Sequence, residues 1–440
     1  MRLPRPSRKD SQWEEKGRYK LKVLVIGNGA REHTLVWKIS QSPKVKELYT
    51  APGNAGTARI AQNLDVSATD IKALAKVAQQ KKVDLVVVGP EAPLGEGIVD
   101  HFESIGIPIF GPSKAAAELE CSKVFSKALF KKYNIPCANS VTFTDYSQAK
   151  EYVQKQKPPI VIKADGLAAG KGVVIAVSTE EAMAALADFM QSKKLGAATD
   201  KILVEEFLTG REMSSFAFSD GKTVLPMVSA CDYKRIYDGD RGPNTGGMGS
   251  YSPPVFDSPV LEKKVLDTVI QPTARAMAQE GRPYSGVLYG GLMVSNSDVK
   301  VLEFNARFGD PEAQVILPRL KTDIIDIIMA VVKGKLSQVK IERTEDACVG
   351  VVMASGGYPG SYKTGFPING LHDLDRDILV FHAGTKVGSA PWEVLTNGGR
   401  VLTVVAMGKT LAQAREKVYA NISRISFEGA QFRKDIAMFK

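Results

Sequence analysis

The 440-residue sequence predicts a multidomain protein in which an α/β region built on a parallel sheet precedes two α+β regions. Three observations carry this reading. First, short apolar, β-branched runs at residues 22–27, 84–89 and 107–110 alternate with helix candidates at 31–41 and 70–80, the pattern of a parallel sheet with crossover helices. Second, from about residue 122 to 318 the strand candidates crowd together, at 160–164, 172–177, 201–205, 213–219, 223–228, 290–294 and 299–303. Two of the turns between them, at 219–222 and 295–298, have hairpin composition. Third, strand candidates at 348–354, 379–383 and 400–408 lead into a helix candidate at 410–425. The expected divisions are a polar, Pro-containing disordered extension at 1–20 and three domains at 21–121, 122–318 and 319–440.

Composition narrows the class. Hydrophobic residues are 44% and charged residues 24%, as in ordinary globular proteins. No apolar run approaches the roughly 20 residues that span a bilayer, and the basic N-terminus lacks an apolar segment, so neither a membrane nor a signal peptide is expected. Cys121, Cys137, Cys231 and Cys348 are far apart, which argues against a disulfide framework or a zinc site and suits a cytoplasmic location. The net charge is +10, but the first 20 residues supply +4 of it (seven basic, three acidic) and the rest is dispersed. A nucleic-acid binder would concentrate that charge, so no nucleic-acid partner is expected.

The glycine loops carry the chemistry. Gly27, Asn28 and Gly29 follow a strand and open a helix, as a dinucleotide fingerprint does, but Glu32 stands at the third glycine position. NAD is therefore not expected. A turn presenting amides to a phosphate or ribose and a plain β–α turn remain equal alternatives. The loop 51–57 has small side chains, Gly53, Gly56 and an expected exposed donor in Asn54, and could wrap an anion; alone it reads as a surface turn. Glu91 leaves the carboxyl end of the 84–89 strand, the edge where open α/β sheets bind ligands.

Residues 163–173 resemble a Walker A loop but place Asp165 and Gly172 where glycine and Ser/Thr belong. What remains, Lys163, Gly166, Gly170 and Lys171 between two strands, could fold over nucleotide phosphates as a lid. Glu205, Glu206 and Phe207 end a strand that could border an adenine, with Glu212 near a ribose; taken alone they are surface acids. Residues 240–249 form a glycine loop with little expected secondary structure, in which Asn244 and Thr245 favour function. The sharpest signal is at 303–312. Strand alternation puts Glu303 and Asn305 on one face with Arg307 next along it, and turns Phe304 into the core. Two oxygen donors there suit Mg²⁺ bridging nucleotide phosphates, against the plainer reading of a solvent-facing polar stripe.

Together the segments 26–33, 52–57, 163–173, 242–249 and 303–312 resemble the glycinamide ribonucleotide synthetase family of ATP-grasp ligases, and the likeness runs from residue 21 to the C-terminus. The resemblance implies a Rossmann-like N-terminal substrate domain, an ATP-grasp domain with a mobile lid at 144–210, and a small C-terminal α+β domain. It implies ATP and Mg²⁺ (or Mn²⁺) as cofactors, with glycine and 5-phosphoribosylamine as small-molecule partners of a monomer. Lys123, Lys163 and the Gly170 loop would meet the ATP phosphates, Glu205, Glu206 and Phe207 the adenine, and Glu212 the ribose. Glu303 and Asn305 would hold the metal. Asn28, Gly29, Gly53, Asn54, Gly56 and Glu91 would hold phosphoribosylamine. Asp232, Lys234, Arg307 and Asp310 would lie near glycine, with Lys163, Arg307 and Asp310 acting in catalysis. Tyr233 departs from the family, which commonly has histidine there. The rivals are another ATP-grasp enzyme such as a biotin carboxylase, and a non-catalytic nucleotide-binding regulator. The full-length likeness and the intact Lys163, Glu303, Asn305 and Arg307 favour the ligase.

Overall fold

A computed structural model describes residues 20–166, 172–193, 196–296 and 298–439. The expected extension at 1–20 lies outside them except for Lys20, and so do Gly170 and Lys171.

The first sheet is parallel throughout, in the order Gln62–Asn63, Val45–Pro52, Leu21–Gly27, Leu85–Val88, Ile109–Phe110. Its central strands are apolar on both faces because both faces are covered. Leu24, Ile26, Val86 and Val88 join one core with Leu74 and Ala78 of the helix Ile71–Lys81. Val23, Val25, Leu85 and Val87 join another with Leu35, Val36 and Ile39 of the helix Ala30–Ser40. The strand Val45–Pro52 is not among the expected ones; its Lys46 and Glu47 break the apolar run that marks its neighbours. Strand order reverses between Leu21–Gly27 and Leu85–Val88, so the turns at Gly27 and Gly89 flank the topological switch point.

Two four-stranded antiparallel sheets follow. One runs Ser140–Phe143, Ile202–Glu206, Ile160–Ala164, Val173–Ala176 and closes over its own core, which includes Phe143, Val153, Ile162 and Leu186. The other runs Val224–Pro226, Arg211–Asp220, Ser285–Ser295, Asp298–Asn305, with the expected hairpins joining neighbours. The helix Ile324–Val332, for which the sequence reading assigns no element, packs against this sheet and against the edge of the first one. Six of its nine residues are buried and Asp326 is its only charged one, so the sequence shows a short, almost continuous apolar run that reads equally well as a buried strand.

The last sheet crosses the boundary expected at residue 318. Its order is Cys231–Asp232, Gly249–Ser252, Ala347–Ala354, Arg400–Gly408, Leu379–His382, so two of its strands come from the middle of the chain. Between those two, the stretch expected to have little secondary structure forms a small hairpin of Arg235–Tyr237 with Arg241–Asn244. The helix Leu411–Ile422 covers this sheet, capped by Thr410, which accepts from the Gln413 amide at 3.2 Å.

The first and last sheets are stitched together at His382. Its amide donates to Nδ1 of His33 at 2.8 Å, and its carbonyl accepts from the Asn54 side chain at 2.7 Å. Burial, then the Arg59 charge, pull the His33 pKa from 6.5 down to about 3. Above pH 6.5 the ring is neutral whether the chain is folded or not. Below it the unfolded chain binds a proton that the folded chain refuses, so stability is lost as pH falls from 6.5 toward about 3. The loss from this ring is up to about 1.4 kcal/mol per pH unit. Urea unfolding at pH 7 and pH 5 should show a smaller loss in His33→Gln than in the unaltered chain; equal losses would rule His33 out as the source.

Candidate functional site

The two antiparallel sheets face each other across a cleft of about 360 Å³, with the switch point at one end. Of the residues singled out from sequence, Glu91, Lys123, Lys163, Glu205, Glu206, Phe207, Glu212, Asp232, Lys234, Glu303, Asn305, Arg307 and Asp310 line it. Asn28, Gly29, Gly53, Asn54 and Gly56 are not among its walls.

One wall is basic. Lys163 lies one residue before the end of the strand Ile160–Ala164, and its Nζ stands 2.9 Å from Glu205 Oε2 while donating to the Leu302 carbonyl at 3.2 Å. Lys127 stands 3.2 Å from the other Glu205 oxygen without hydrogen-bond geometry. The Glu205 carboxylate is therefore turned to two lysines and not to the adenine border expected for it. Lys123 Nζ donates to the Gly166 carbonyl at 3.0 Å. Asp165, which spoils the Walker pattern, accepts from the Val124 amide and the Ser122 hydroxyl, both at 3.1 Å, and so ties the loop to the N-terminus of the helix Lys123–Lys132. The Glu206 amide is committed to the Asn139 carbonyl at 3.0 Å and its carboxylate to Lys300 at 2.8 Å. A ligand edge at this strand end can thus be read only from Phe207 onward or by carbonyls.

The opposite wall is the strand Asp298–Asn305. Phe304 is buried and its ring lies 5.7 Å from that of Phe130. Glu303 and Asn305 face the cleft, and among the described residues neither side chain makes a hydrogen bond or ion pair. The Glu303 charge nevertheless reaches Lys123, opposing the burial that lowers that lysine's pKa. No cluster of three or more His, Cys, Asp or Glu suited to a metal occurs among the described residues. A hard cation on Glu303 and Asn305 would complete its shell with phosphate oxygens and water, as Mg²⁺ prefers.

Arg307 anchors the acidic end. Its Nε donates to Glu91 Oε2 at 3.0 Å and its Nη2 stands 3.0 Å from Glu120 Oε1. Burial works against the Glu91 carboxylate, but Arg307 and Arg31 overcome it and hold its pKa at about 2. Glu120 is buried, its pKa is raised by that burial, and its other oxygen accepts from the Ala306 amide at 2.6 Å. Sequence reasoning missed Glu120; 186 positions separate it from Ala306 and no local motif links them. Glu312, which closes the 303–312 segment but is assigned no role by the sequence, accepts from Tyr289 at 2.6 Å and Ser214 at 3.1 Å, and burial followed by the Asp232 charge raises its pKa. Lys234 pairs with Asp232 at 2.7 Å and Glu212 at 3.0 Å.

At the switch point the expected anion turn is already filled. The Gly29 amide donates to Glu32 Oε2 at 2.6 Å, so a carboxylate occupies the helix N-terminus where a dinucleotide pyrophosphate would lie. A Cβ on Gly27 or Gly89 would collide with that carboxylate's side chain. The expected exposed donor Asn54 is buried instead, donating to the Asn28 carbonyl at 2.9 Å and accepting from the Gly56 and Thr57 amides at 2.9 and 3.0 Å. It holds the two turns to each other. Gly29 still faces the site: a Cβ there would lie 3.4 Å from Asp310 Oδ2.

Removing one member of a buried ion pair strands the other, at about 3 kcal/mol or more. Glu120→Ala should lower the free energy of urea unfolding by that order, and Glu120→Gln, which keeps an acceptor for the Ala306 amide, by less. An unchanged midpoint in Glu120→Ala would show that Arg307 needs no such partner.

Residues 21–120, 121–313 and 348–438 match in turn the phosphoribosylglycinamide synthetase N domain, ATP-grasp (A) domain and C domain. The phosphoribosylamine–glycine ligase of Halalkalibacterium halodurans is 50% identical over 416 residues, 94% of this chain and 96% of that one. That of Yersinia pestis is 49% identical over 420 residues, 94% and 98% of the two chains. The crystal structure of the phosphoribosylamine–glycine ligase from Thermotoga maritima superposes with a TM-score of 0.83 at 33% identity, over 94% of this chain and all of that one. A biotin carboxylase from Campylobacter jejuni, solved with a β,γ-ATP ligand, has a TM-score of 0.74 at 15% identity over 96% and 95% of the two chains, a likeness of fold alone. No helix among the described residues is long and apolar enough to cross a membrane.

Proposed function

The chain belongs to the phosphoribosylglycinamide synthetase family, and from that premise we propose that its cleft joins the carboxylate of glycine to the amine of 5-phosphoribosylamine. It is an ATP-dependent, glycine-joining ligase of purine biosynthesis that uses a divalent metal ion. The observation that carries the finer reading is the pair Glu303 and Asn305, which among the described residues make no side-chain hydrogen bond or ion pair, on one strand face opposed by Lys123 and Lys163. Oxygen donors of this kind hold Mg²⁺, with Mn²⁺ as a substitute. When bound, that ion offsets phosphate charge and fixes the polyphosphate.

Glycine's carboxylate attacks the γ-phosphorus of ATP, forming glycyl phosphate and releasing ADP. The amine of phosphoribosylamine then attacks the acyl carbon and phosphate leaves. Neither step calls for a protein nucleophile, so the residues act by position and charge. Lys123 and Lys163 face the polyphosphate. Phe207 borders the adenine and Glu212 the ribose. Asp232 and Lys234 take glycine's charged ends, and Arg307 faces the transferring phosphoryl group from the acidic end. Glu91, Gly29 and the Gly53–Gly56 backbone lie on the phosphoribosylamine side, with Asp310 between the two substrates. In this reading Asn28 and Asn54 serve by fixing the turns.

ADP release should require ATP, Mg²⁺, glycine and phosphoribosylamine together; release that ignores either organic substrate would overturn the assignment. Glu303→Ala should lower turnover on the order of a thousandfold. Its melting temperature should move little, because among the described residues the side chain makes no hydrogen bond or ion pair. Near-normal turnover in that variant would remove Glu303 from the metal site.

A further inference from the structure

The C-terminal sheet reaches the cleft through Arg400, which is not itself on the cleft wall. Arg400 opens the strand Arg400–Gly408, opposite Ala354 where the register shifts, and its carbonyl accepts from the Gly384 amide at 2.9 Å. With its backbone fixed there, the side chain leaves the sheet. Its Nη1 donates to two carbonyls, Gly246 and Asp310, each at 2.7 Å, and stands 3.3 Å from the Asp310 carboxylate. The Gly246 peptide is gripped from its other end as well, where its amide donates to the Tyr358 hydroxyl at 3.0 Å. The approach is close: a Cβ on Gly246 would sit 3.0 Å from Arg400 Cζ, and the guanidinium would have to give by a few tenths of an ångström. Gly247 follows at φ +112°, its amide bonded to Thr245 Oγ1 at 3.0 Å, so the loop has no slack beside the clamp.

We propose that Arg400 is a positioning residue for the ligation, setting the Gly246 peptide and Asp310 at a fixed separation. One guanidinium nitrogen bridging two carbonyls links the loop that lines the cleft at Thr245 and Gly246 to the acid that faces the Gly29 turn. Charge-assisted bonds of this kind are short and directional, so they hold position as well as supply energy. The clamp joins the glycine side to the phosphoribosylamine side and touches nothing on the adenine side. The inference rests on the reading of the cleft given above.

The test uses the full chain with Arg400→Gln and Arg400→Lys. In Arg400→Gln the KM for glycine or phosphoribosylamine should rise at least tenfold and the ligated product per ADP should fall, while the KM for ATP stays within twofold. Arg400→Lys, which keeps a cation able to bridge two carbonyls, should recover part of both. Hydrogen–deuterium exchange across residues 240–250 should quicken at least tenfold in Arg400→Gln. Unchanged substrate KM values and coupling, or unchanged exchange, would overturn the proposal. So would an equal loss for ATP with a lowered melting temperature and no recovery by lysine, the mark of a merely structural residue. If the unaltered chain itself releases no ADP, the ligation reading fails, and the exchange measurement still decides whether Arg400 holds the loop.

Discussion

Arg307 holds two carboxyl groups, Glu91 and Glu120, together at the edge of a buried cleft. Glu91 comes from the turn after the second central strand of the parallel sheet, and Glu120 from the helix Lys114–Cys121. Burial opposes the charged form of each acid; the guanidinium between them overcomes that penalty at Glu91 and only lessens it at Glu120, whose pKa stays raised. Because Arg307 directly follows the strand that carries Glu303 and Asn305, the same ion pairs fix the end of that strand. The switch point of the first sheet and the floor of the cleft are thereby held as one surface.

The charge pattern across the cleft follows from this anchoring. At one end Lys127 and Lys163 share the carboxylate of Glu205 and Lys123 donates to the Gly166 carbonyl, so three lysines gather where phosphates would lie. At the other end Asp232, Glu312, Asp310 and Glu91 are each neutralised in part by Lys234, Arg400 or Arg307. A polyanion entering such a gradient has one favourable orientation.

The strands and turns that carry the chemistry were legible because their signals are local. A β-branched run ending in Gly27, and the alternation of Glu303, Phe304 and Asn305, need no knowledge of the rest of the fold. The partners of those residues were not legible. Glu120, Arg400 and Glu312 act across long separations, and no spacing rule connects them to Arg307, Gly246 or Tyr289. Asn54 was misread for a related reason. A polar residue in a glycine loop looks exposed until a second turn and a distant strand close over it. Glu32 was recognised only as a missing glycine, whereas its carboxylate fills the helix N-terminus that the motif normally offers to a ligand.

The last sheet, which borrows Cys231–Asp232 and Gly249–Ser252 from the middle of the chain, has a consequence for synthesis. Gly249–Ser252 finds its long neighbour only in Ala347–Ala354, about a hundred residues later, and that strand is in turn flanked by Arg400–Gly408. A ribosome emits roughly 5–20 residues per second, so the borrowed strands wait for seconds with bare amides and carbonyls. During that interval they form an unpaired edge, open to chaperones or to neighbouring chains. The wall of the cleft that includes Asp232 and the Asn244–Gly246 loop is thus completed last, when the C-terminal third arrives, whereas the parallel sheet has all its strands within the first 110 residues.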